Sequence, residues 1–276
     1  MRPDIVRGEV YVQSKVPLRT GNEMPVLGLG TWQLKKDTAG TIARALELGY
    51  PMIDTSGDYG TQPGIGRGLQ REGADRDSVY IVTKVEETDD AYEAAKRNVR
   101  QLGLEYADLI LIHRPPEDGV GVELWRGLMR AKDEGIARDI GVSNYSGQQI
   151  TELVQKTGVI PAVNQIEWSP FGHSDAMLEF CRDNDIVIQA YSPLTRTQRL
   201  DDETLVQIAD HYGKTPAQVL IRWNLQRGTV PIPKANREEH LEENLGVFDF
   251  ELTNEDFERL NSLNERYSAL GELPYE

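Results

Sequence analysis

The sequence predicts an α/β fold of the (β/α)8 TIM-barrel class, and three observations carry that prediction. Eight short apolar runs alternate with longer amphipathic helical patterns, the mark of a parallel sheet built from βα units. The chain has 276 residues, a length that closed α/β barrels reach as one unit. Polar residues suited to chemistry stand at or just past the ends of the apolar runs, where such barrels place their sites.

The elements follow in order. Ahead of the first barrel strand, Glu9 to Met24 alternates through Val10 and Val12, continues as Lys15-Val16-Pro17-Leu18 and turns at Thr20-Gly21-Asn22. It reads as a β-hairpin closing the bottom of the barrel. Strands are expected at Val26–Gly30, Met52–Asp54, Val79–Thr83, Leu109–His113, Ile136–Val142, Ala162–Gln165, Val187–Tyr191 and Thr229–Ile232. After the third strand, Ala95, Val99 and Leu102 recur at helical spacing and Gly103 stands where a glycine ends a helix. Leu124, Leu128 and Ala131 repeat the pattern before Gly135. Thr215-Pro216-Ala217-Gln218 combines an N-cap, a proline at N1 and a Gln at N3, opening a helix with Val219, Leu220 and Trp223. Thr253-Asn254-Glu255-Asp256 reads as a second capping box, opening a C-terminal helix with Phe257, Leu260 and Leu263 on one face. The tail from Asn264 to Glu276 has no helical period.

No Ser/Gly-rich run, low-complexity tract or charge block divides the chain, so residues 1–276 are expected to form a single domain. An open doubly wound sheet is the rival architecture. Its G-x-G-x-x-G fingerprint is missing after the first strand, where Gly28-Leu29-Gly30-Thr31-Trp32 stands instead. Gly28 and Gly30 read as turn and packing glycines. Gly64-Ile65-Gly66-Arg67-Gly68 lacks the strand-to-helix setting of a phosphate loop.

Lys and Arg total 30 against 45 Asp and Glu, a formal charge of -15. That balance argues against nucleic acid or an anionic membrane as partner. An ordinary acidic cytoplasmic protein and one adapted to high salt both fit it. Glu86-Glu87-Thr88-Asp89-Asp90 reads as a solvated loop and helix start. The single Cys181, between Leu178-Glu179-Phe180 and Arg182, fits a buried position on an amphipathic helix and a reducing compartment. Met1-Arg2-Pro3-Asp4 has no apolar signal core, and no run approaches the ~20 residues needed to span a bilayer. A cytoplasmic location is expected, and no segment marks a dimer, so a monomer is expected.

Reading strand by strand, the ends carry Asp54, Lys84, His113, Ser143-Asn144, Asn164-Gln165, Tyr191-Ser192 and Lys234, with Tyr59 just beyond the second strand. Carbonyl chemistry could use this set. A tyrosine with a pKa of about 10 is a poor proton donor near neutral pH. An ammonium at Lys84 beside Tyr59 would favour the phenolate and pull that pKa toward working pH. Asp54 would hold Lys84 charged, and a neutral His113 would orient a carbonyl oxygen. His173 and His211 read as surface residues.

At this point the chain resembles the aldo-keto reductase family, from about Val16 to Leu263. The resemblance is carried in order by Met24-Pro25-Val26-Leu27-Gly28-Leu29-Gly30-Thr31-Trp32, Ile53-Asp54-Thr55-Ser56 with Tyr59-Gly60, Val82-Thr83-Lys84, Leu111-Ile112-His113, Gly141-Val142-Ser143-Asn144-Tyr145, Asn164-Gln165-Ile166-Glu167, Tyr191-Ser192-Pro193-Leu194 and Ile232-Pro233-Lys234. It implies NAD(P)H-dependent reduction of an aldehyde or ketone by direct hydride transfer, with the cofactor lying extended across the barrel mouth. Tyr59 then matches the proton donor, Lys84 and Asp54 the pair that tunes it, and His113 the residue that orients the carbonyl. Ser143, Asn144 and Gln165 match the residues that bind the nicotinamide carboxamide, and Tyr191 the aromatic that stacks on the ring. Ser143 could also cap the following helix. Thr31, Trp32, Asp54, Ser192, Pro193 and Leu194 complete the implied cofactor contacts near the reacting end.

The segment from Lys234 through Ala235, Asn236, Arg237 and His240 to Glu243 and Asn244 resembles the family's adenosine 2′-phosphate and adenine site. Ala235 and His240 stand where Ser and Arg are usual, and Arg237 could compensate by gripping a phosphate bidentately. NADPH is therefore favoured, with NADH use left open.

Other departures concern substrate. Thr61-Gln62 follow Tyr59-Gly60 where Asn-Glu is common, and Val85-Glu86-Glu87 stands where an aromatic is expected. Arg114 replaces an aromatic after His113; either it points to solvent or it offers a cation to an acidic substrate group. Trp32 is a candidate apolar wall, and the tail with Tyr267, Leu270, Leu273, Pro274 and Tyr275 either borders the pocket or packs along the barrel wall. A small carbonyl compound is the expected partner. Two rivals remain. One is a non-catalytic barrel that senses nicotinamide cofactor. The other is a metal-dependent hydrolase using Asp54, Asp58, Glu86 and His113; with no H-x-H or H-E-x-x-H spacing, no metal is expected.

Overall fold

A computed structural model describes residues 10–73, 75–273 and 275. Strands β1 (Lys15–Pro17) and β2 (Glu23–Pro25) pair antiparallel with Val16 opposite Met24. Gly21, at φ 92, lies in the turn between them, a backbone state that glycine adopts without Cβ strain. Met24 is fully buried and clusters with Met52, Val82 and Leu109, so the hairpin covers the interior of the barrel. Val10 is buried but lies outside both strands, as does Val12; Glu9 falls outside the described residues.

The barrel strands are β3 (Leu29–Gly30), β4 (Met52–Asp54), β5 (Tyr80–Val85), β6 (Ala107–Ile112), β7 (Ala137–Ser143), β8 (Val163–Glu167), β9 (Val187–Tyr191) and β10 (Val230–Pro231). They stand side by side in chain order, every pair parallel. The ring closes between last and first: Gly28 N donates to Pro231 O at 3.1 Å, Gly30 N donates to Pro233 O at 3.2 Å, and Gly30 bridges Lys234. A Cβ on Gly30 would lie 2.7 Å from Ile232 O, so the close approach at this seam requires glycine.

Helices α1 (Thr38–Glu47), α2 (Gln62–Glu72), α3 (Ala91–Leu102), α4 (Val122–Asp133), α5 (Gly147–Thr157) and α6 (Asp175–Asp183) follow β3 to β8 in turn. Two helices, α7 (Glu203–Tyr212) and α8 (Pro216–Arg227), join β9 to β10, and α9 (Glu238–Leu245) and α10 (Asn254–Asn261) come last. The Thr215–Gln218 capping box is fully made. At Thr253 only half of the expected box forms: its hydroxyl accepts from Asp256 N, but its own N–H donates to the Tyr212 hydroxyl. The shorter Asp256 carboxylate is engaged instead by Tyr212, Arg259 and the Thr253 hydroxyl. Among the described residues no helix is long and apolar enough to cross a membrane.

Strand alternation divides the apolar residues into two cores. Met52, Val82, Leu109, Leu111, Val163 and Val187 fill the barrel interior, while Ile53, Ile81, Ile110, Ile112, Ile140 and Ile166 pack outward under the helices. Counting on by twos along the inward set places Asp54, Lys84, His113, Gln165 and Tyr191 on the interior side at the C-terminal ends. Strand period therefore builds the site: residues far apart in sequence meet because each continues the inward set at or near the C-terminal end of its strand.

His173, read as a surface residue, is buried. Its Nδ1 lies 3.1 Å from Ser169 O and its ring packs 5.2 Å from that of Trp223. Long-range packing, rather than the local polar pattern, sets its exposure. His211 is mostly exposed, as expected, and approaches Asp256 at 3.3 Å.

Candidate active site

A cleft of about 1130 Å³ opens at the C-terminal strand ends, lined by Asp54, Tyr59, His113, Ser143, Asn144, Gln165 and Tyr191 among others. Lys84 lies beneath it, fully buried. Its ammonium donates to Asp54 Oδ1 at 2.8 Å, to Asp54 Oδ2 at 3.0 Å and to the Thr55 carbonyl at 2.7 Å. Asp54 also accepts from Gln165 Nε2 at 2.7 Å. Tyr59 ends a 3-10 turn, Gly57–Tyr59, that follows β4, and Gly60 at φ 69 turns the chain away from it. The Lys84 nitrogen lies 5.0 Å from the centre of the Tyr59 ring.

Burial disfavours the Lys84 ammonium, but Asp54 and Tyr59 outweigh it and hold its pKa above the ordinary lysine value. For Tyr59 the balance runs the other way. Burial raises its pKa, and the opposing pull of the Lys84 charge does not overcome it. This corrects the expectation of a lowered phenol. The sequence shows Lys84 but not the depth at which both groups sit, and Asp54 has already neutralised much of the ammonium's field.

His113 lies edge-on to Tyr59, with ring centres 5.8 Å apart. Its Nδ1 is 2.9 Å from both oxygens of Glu86 and 3.8 Å from Asp58 Oδ1. Ser56 Oγ donates to Glu86 at 2.9 Å. Burial would raise the Glu86 carboxyl, but the His113 and Ser56 hydrogen bonds and the Arg114 charge bring it below the ordinary value. Glu86 is thus part of the site, and its reading as a solvated loop residue is overturned. Arg114 is half-exposed on the cleft, with Nε 3.3 Å from Glu87 and a terminal nitrogen 3.8 Å from Glu86. Among the described residues Asp58, Glu86 and His113 bring one potential metal-ligand atom each within 4.8 Å of one another. A cation there would compete with the contact between His113 Nδ1 and Glu86.

On the neighbouring strands, Ser143 Oγ donates to Gln165 O at 2.8 Å. The cap of α5 is not Ser143 but Ser146, which forms a capping box with Gln149. Asn144 adopts φ 64, a left-handed conformation that Asn tolerates better than most residues. Its amide donates to the His113 carbonyl at 3.0 Å, and its Oδ1 accepts from the Tyr191 hydroxyl at 2.8 Å. The Gln165 amide nitrogen is committed to Asp54 and, at 2.6 Å, to Gln189, which leaves its Oε1 as the acceptor group.

Trp32, Ser192, Pro193, Leu194, Lys234, Ala235, Asn236, Arg237 and His240 also line the cleft. Thr31, Glu243 and Asn244 do not. The Thr31 hydroxyl lies 3.3 Å from that of Thr61, Glu243 pairs with His240 Nδ1 at 3.0 Å, and Asn244 is buried beside Tyr50. Lys234, Arg237 and His240 are exposed around the start of α9, whose N-cap position, Arg237, makes no side-chain cap bond. Cations beside uncapped helix N–H groups suit a phosphate.

Sequence reasoning missed Arg196, whose guanidinium sits 4.3 Å over the Trp32 ring, and Glu272 on the cleft rim. Both alternatives for the tail are realised: Leu270 lines the cleft, while Leu273 and Tyr275 are buried and the Tyr275 hydroxyl donates to Glu167 O at 2.9 Å. Cys181 is buried, and burial pushes its thiol up to about 12, which suits packing rather than nucleophilic attack.

A model of the Aldo/keto reductase family matches residues 26–265 of this chain. An aldo-keto reductase of Mycobacterium sp. (strain MCS) is 39% identical over 265 residues, 94% of each chain. One from Mycobacterium marinum is 40% identical over 256 residues, 91% of each. Among solved structures, an aldo/keto reductase from Brucella melitensis is similar at TM-score 0.86 and 35% identity, covering 91% of this chain and 99% of that one. The Bombyx mori aldo-keto reductase in complex with NADP is similar at TM-score 0.87 and 31% identity, covering 94% and 95%.

Proposed function

The chain belongs to the aldo/keto reductase family of NAD(P)H-dependent carbonyl reductases, and from that premise we propose that it reduces a small aldehyde or ketone with NADPH, Tyr59 delivering the proton. The observation that carries this reading is the buried Lys84–Asp54 pair beneath the ring of Tyr59 in the cleft.

NADPH, when bound, supplies the hydride that adds to the carbonyl carbon. Ser143, Asn144 and the Gln165 oxygen are the groups suited to its carboxamide, and Tyr191 offers a ring face. Lys234, Arg237 and His240, around the start of α9, suit its adenosine phosphate. The donor set fits a phosphorylated dinucleotide better than NADH.

Tyr59 keeps its proton until the carbonyl oxygen needs it. A raised phenol pKa does not forbid this role, because the oxygen of a forming alkoxide is far more basic than a phenolate. As the proton leaves, the Lys84 ammonium stabilises the phenolate, and Asp54 keeps that ammonium charged and in place. The carbonyl carbon gains the hydride, its oxygen gains the Tyr59 proton, and solvent restores the phenol. His113 orients the oxygen, while Trp32 and Arg114 border the space left for substrate.

The test is a panel of carbonyl compounds read by cofactor oxidation with NADPH and NADH in parallel. Turnover of at least one aldehyde, faster with NADPH, is expected. Tight NADPH binding with no oxidation across the panel would favour the cofactor-sensing barrel instead.

A further inference from the structure

Glu86 stands two residues past Lys84, at the end of β5, where the acidic run Glu86 to Asp90 gives no hint of a role. Both its oxygens lie 2.9 Å from His113 Nδ1, and its Oε1 also accepts from Ser56. An ionised carboxylate has no proton to give, so the shared proton belongs to Nδ1. The consequence falls on the other edge of the ring. A neutral imidazole protonated at Nδ1 carries a bare lone pair at Nε2, which can only accept. A carbonyl oxygen also only accepts, so the two cannot bond.

We propose that Glu86 is a positioning residue that locks the His113 ring with its Nδ1 proton toward the carboxylate, so that Nε2 can donate to a carbonyl oxygen only when the ring carries a second proton. The inference rests on the reading of His113 as the carbonyl-orienting group. The charges around the ring suit it. Glu86 and, at 3.8 Å, Asp58 face Nδ1, and Tyr59 presents a neutral ring. The adjacent cation in sequence, Arg114, is paired with Glu87 and Glu86. Lys84 lies beyond Tyr59 and is neutralised by Asp54. Asn144 fixes the backbone by donating to the His113 carbonyl.

The experiment combines nitrogen-15 spectra of the histidine rings, recorded without substrate, with kinetics of Glu86→Gln and Glu86→Ala. The His113 signals are assigned by comparison with a His113→Asn variant. The wild type should show Nδ1 protonated in both the charged and the neutral ring. Glu86→Ala should lose that preference and lose about tenfold in kcat near neutral pH, the rate equivalent of one charge-assisted hydrogen bond. NADPH affinity should stay unchanged, which also checks the fold. Glu86→Gln, whose Oε1 can accept the same proton, should keep the tautomer and restore part of kcat. A wild-type neutral ring protonated at Nε2, or a Glu86→Ala enzyme with wild-type kcat and pH profile, would overturn the proposal. The tautomer is read without turnover, so it decides this inference even where the carbonyl-reductase reading fails.

Discussion

At the β4–β6 end of the cleft, Asp54 and Lys84 are 3% and 0% exposed and bonded to each other, whereas at the β10–α9 end Lys234 and Arg237 are exposed. Among the described residues the side chains of Lys234 and Arg237 make no hydrogen bond or ion pair. The first end is organised before any ligand arrives, its side chains fixed by strand period and by one another. The second is a set of cations on a loop and helix start, to be ordered by the anion it meets. Substitution at the first end should therefore damage stability and chemistry together, and at the second end affinity alone.

The largest effect is expected at Lys84. Lys84→Met strands the buried Asp54 carboxylate, so stability should drop by about 3–5 kcal/mol in denaturant unfolding. Turnover should fall by about 10²–10⁴ as the proton donor loses its partner. A variant as stable as the wild type would break the contrast between the two ends.

A smaller and more selective loss is expected from Lys234→Ala combined with Arg237→Ala. NADPH should bind about 10–100-fold more weakly, as charged hydrogen bonds to phosphate are lost. Binding of NADH, saturated kcat and thermal stability should hardly move. An equal loss for both cofactors would mean that this end does not read the phosphate.

The mildest probe is salt. Raising ionic strength toward about 1 M should increase the KM for NADPH several-fold, because exposed charges are screened at that concentration. It should leave kcat nearly constant, because the buried pair is shielded from solvent. Equal salt effects on both constants would erase the distinction.

The same contrast explains what was legible in the sequence. The eight strands and the inward positions Asp54, Lys84, His113, Gln165 and Tyr191 could be read because strand alternation and strand ends are local signals. The individual bounds were less legible: β5 runs on through Lys84 to Val85, and β3 begins only at Leu29. The Glu86–His113 contact spans 27 positions and exists only because β5 and β6 lie side by side. An acidic run cannot announce that one of its members turns inward. The burial of His173 escapes the sequence for a related reason, since the Trp223 ring that packs on it comes from α8. The raised Tyr59 phenol depends on burial depth, which two charges placed near each other in a sequence do not convey.

The central claim, that Tyr59 donates the proton, is tested most directly by Tyr59→Phe, with NADPH binding and turnover measured on the same preparation. Removing one hydroxyl should leave the dissociation constant for NADPH within about twofold while kcat falls by about 10² or more. A Tyr59→Phe enzyme that keeps most of its turnover would contradict the account.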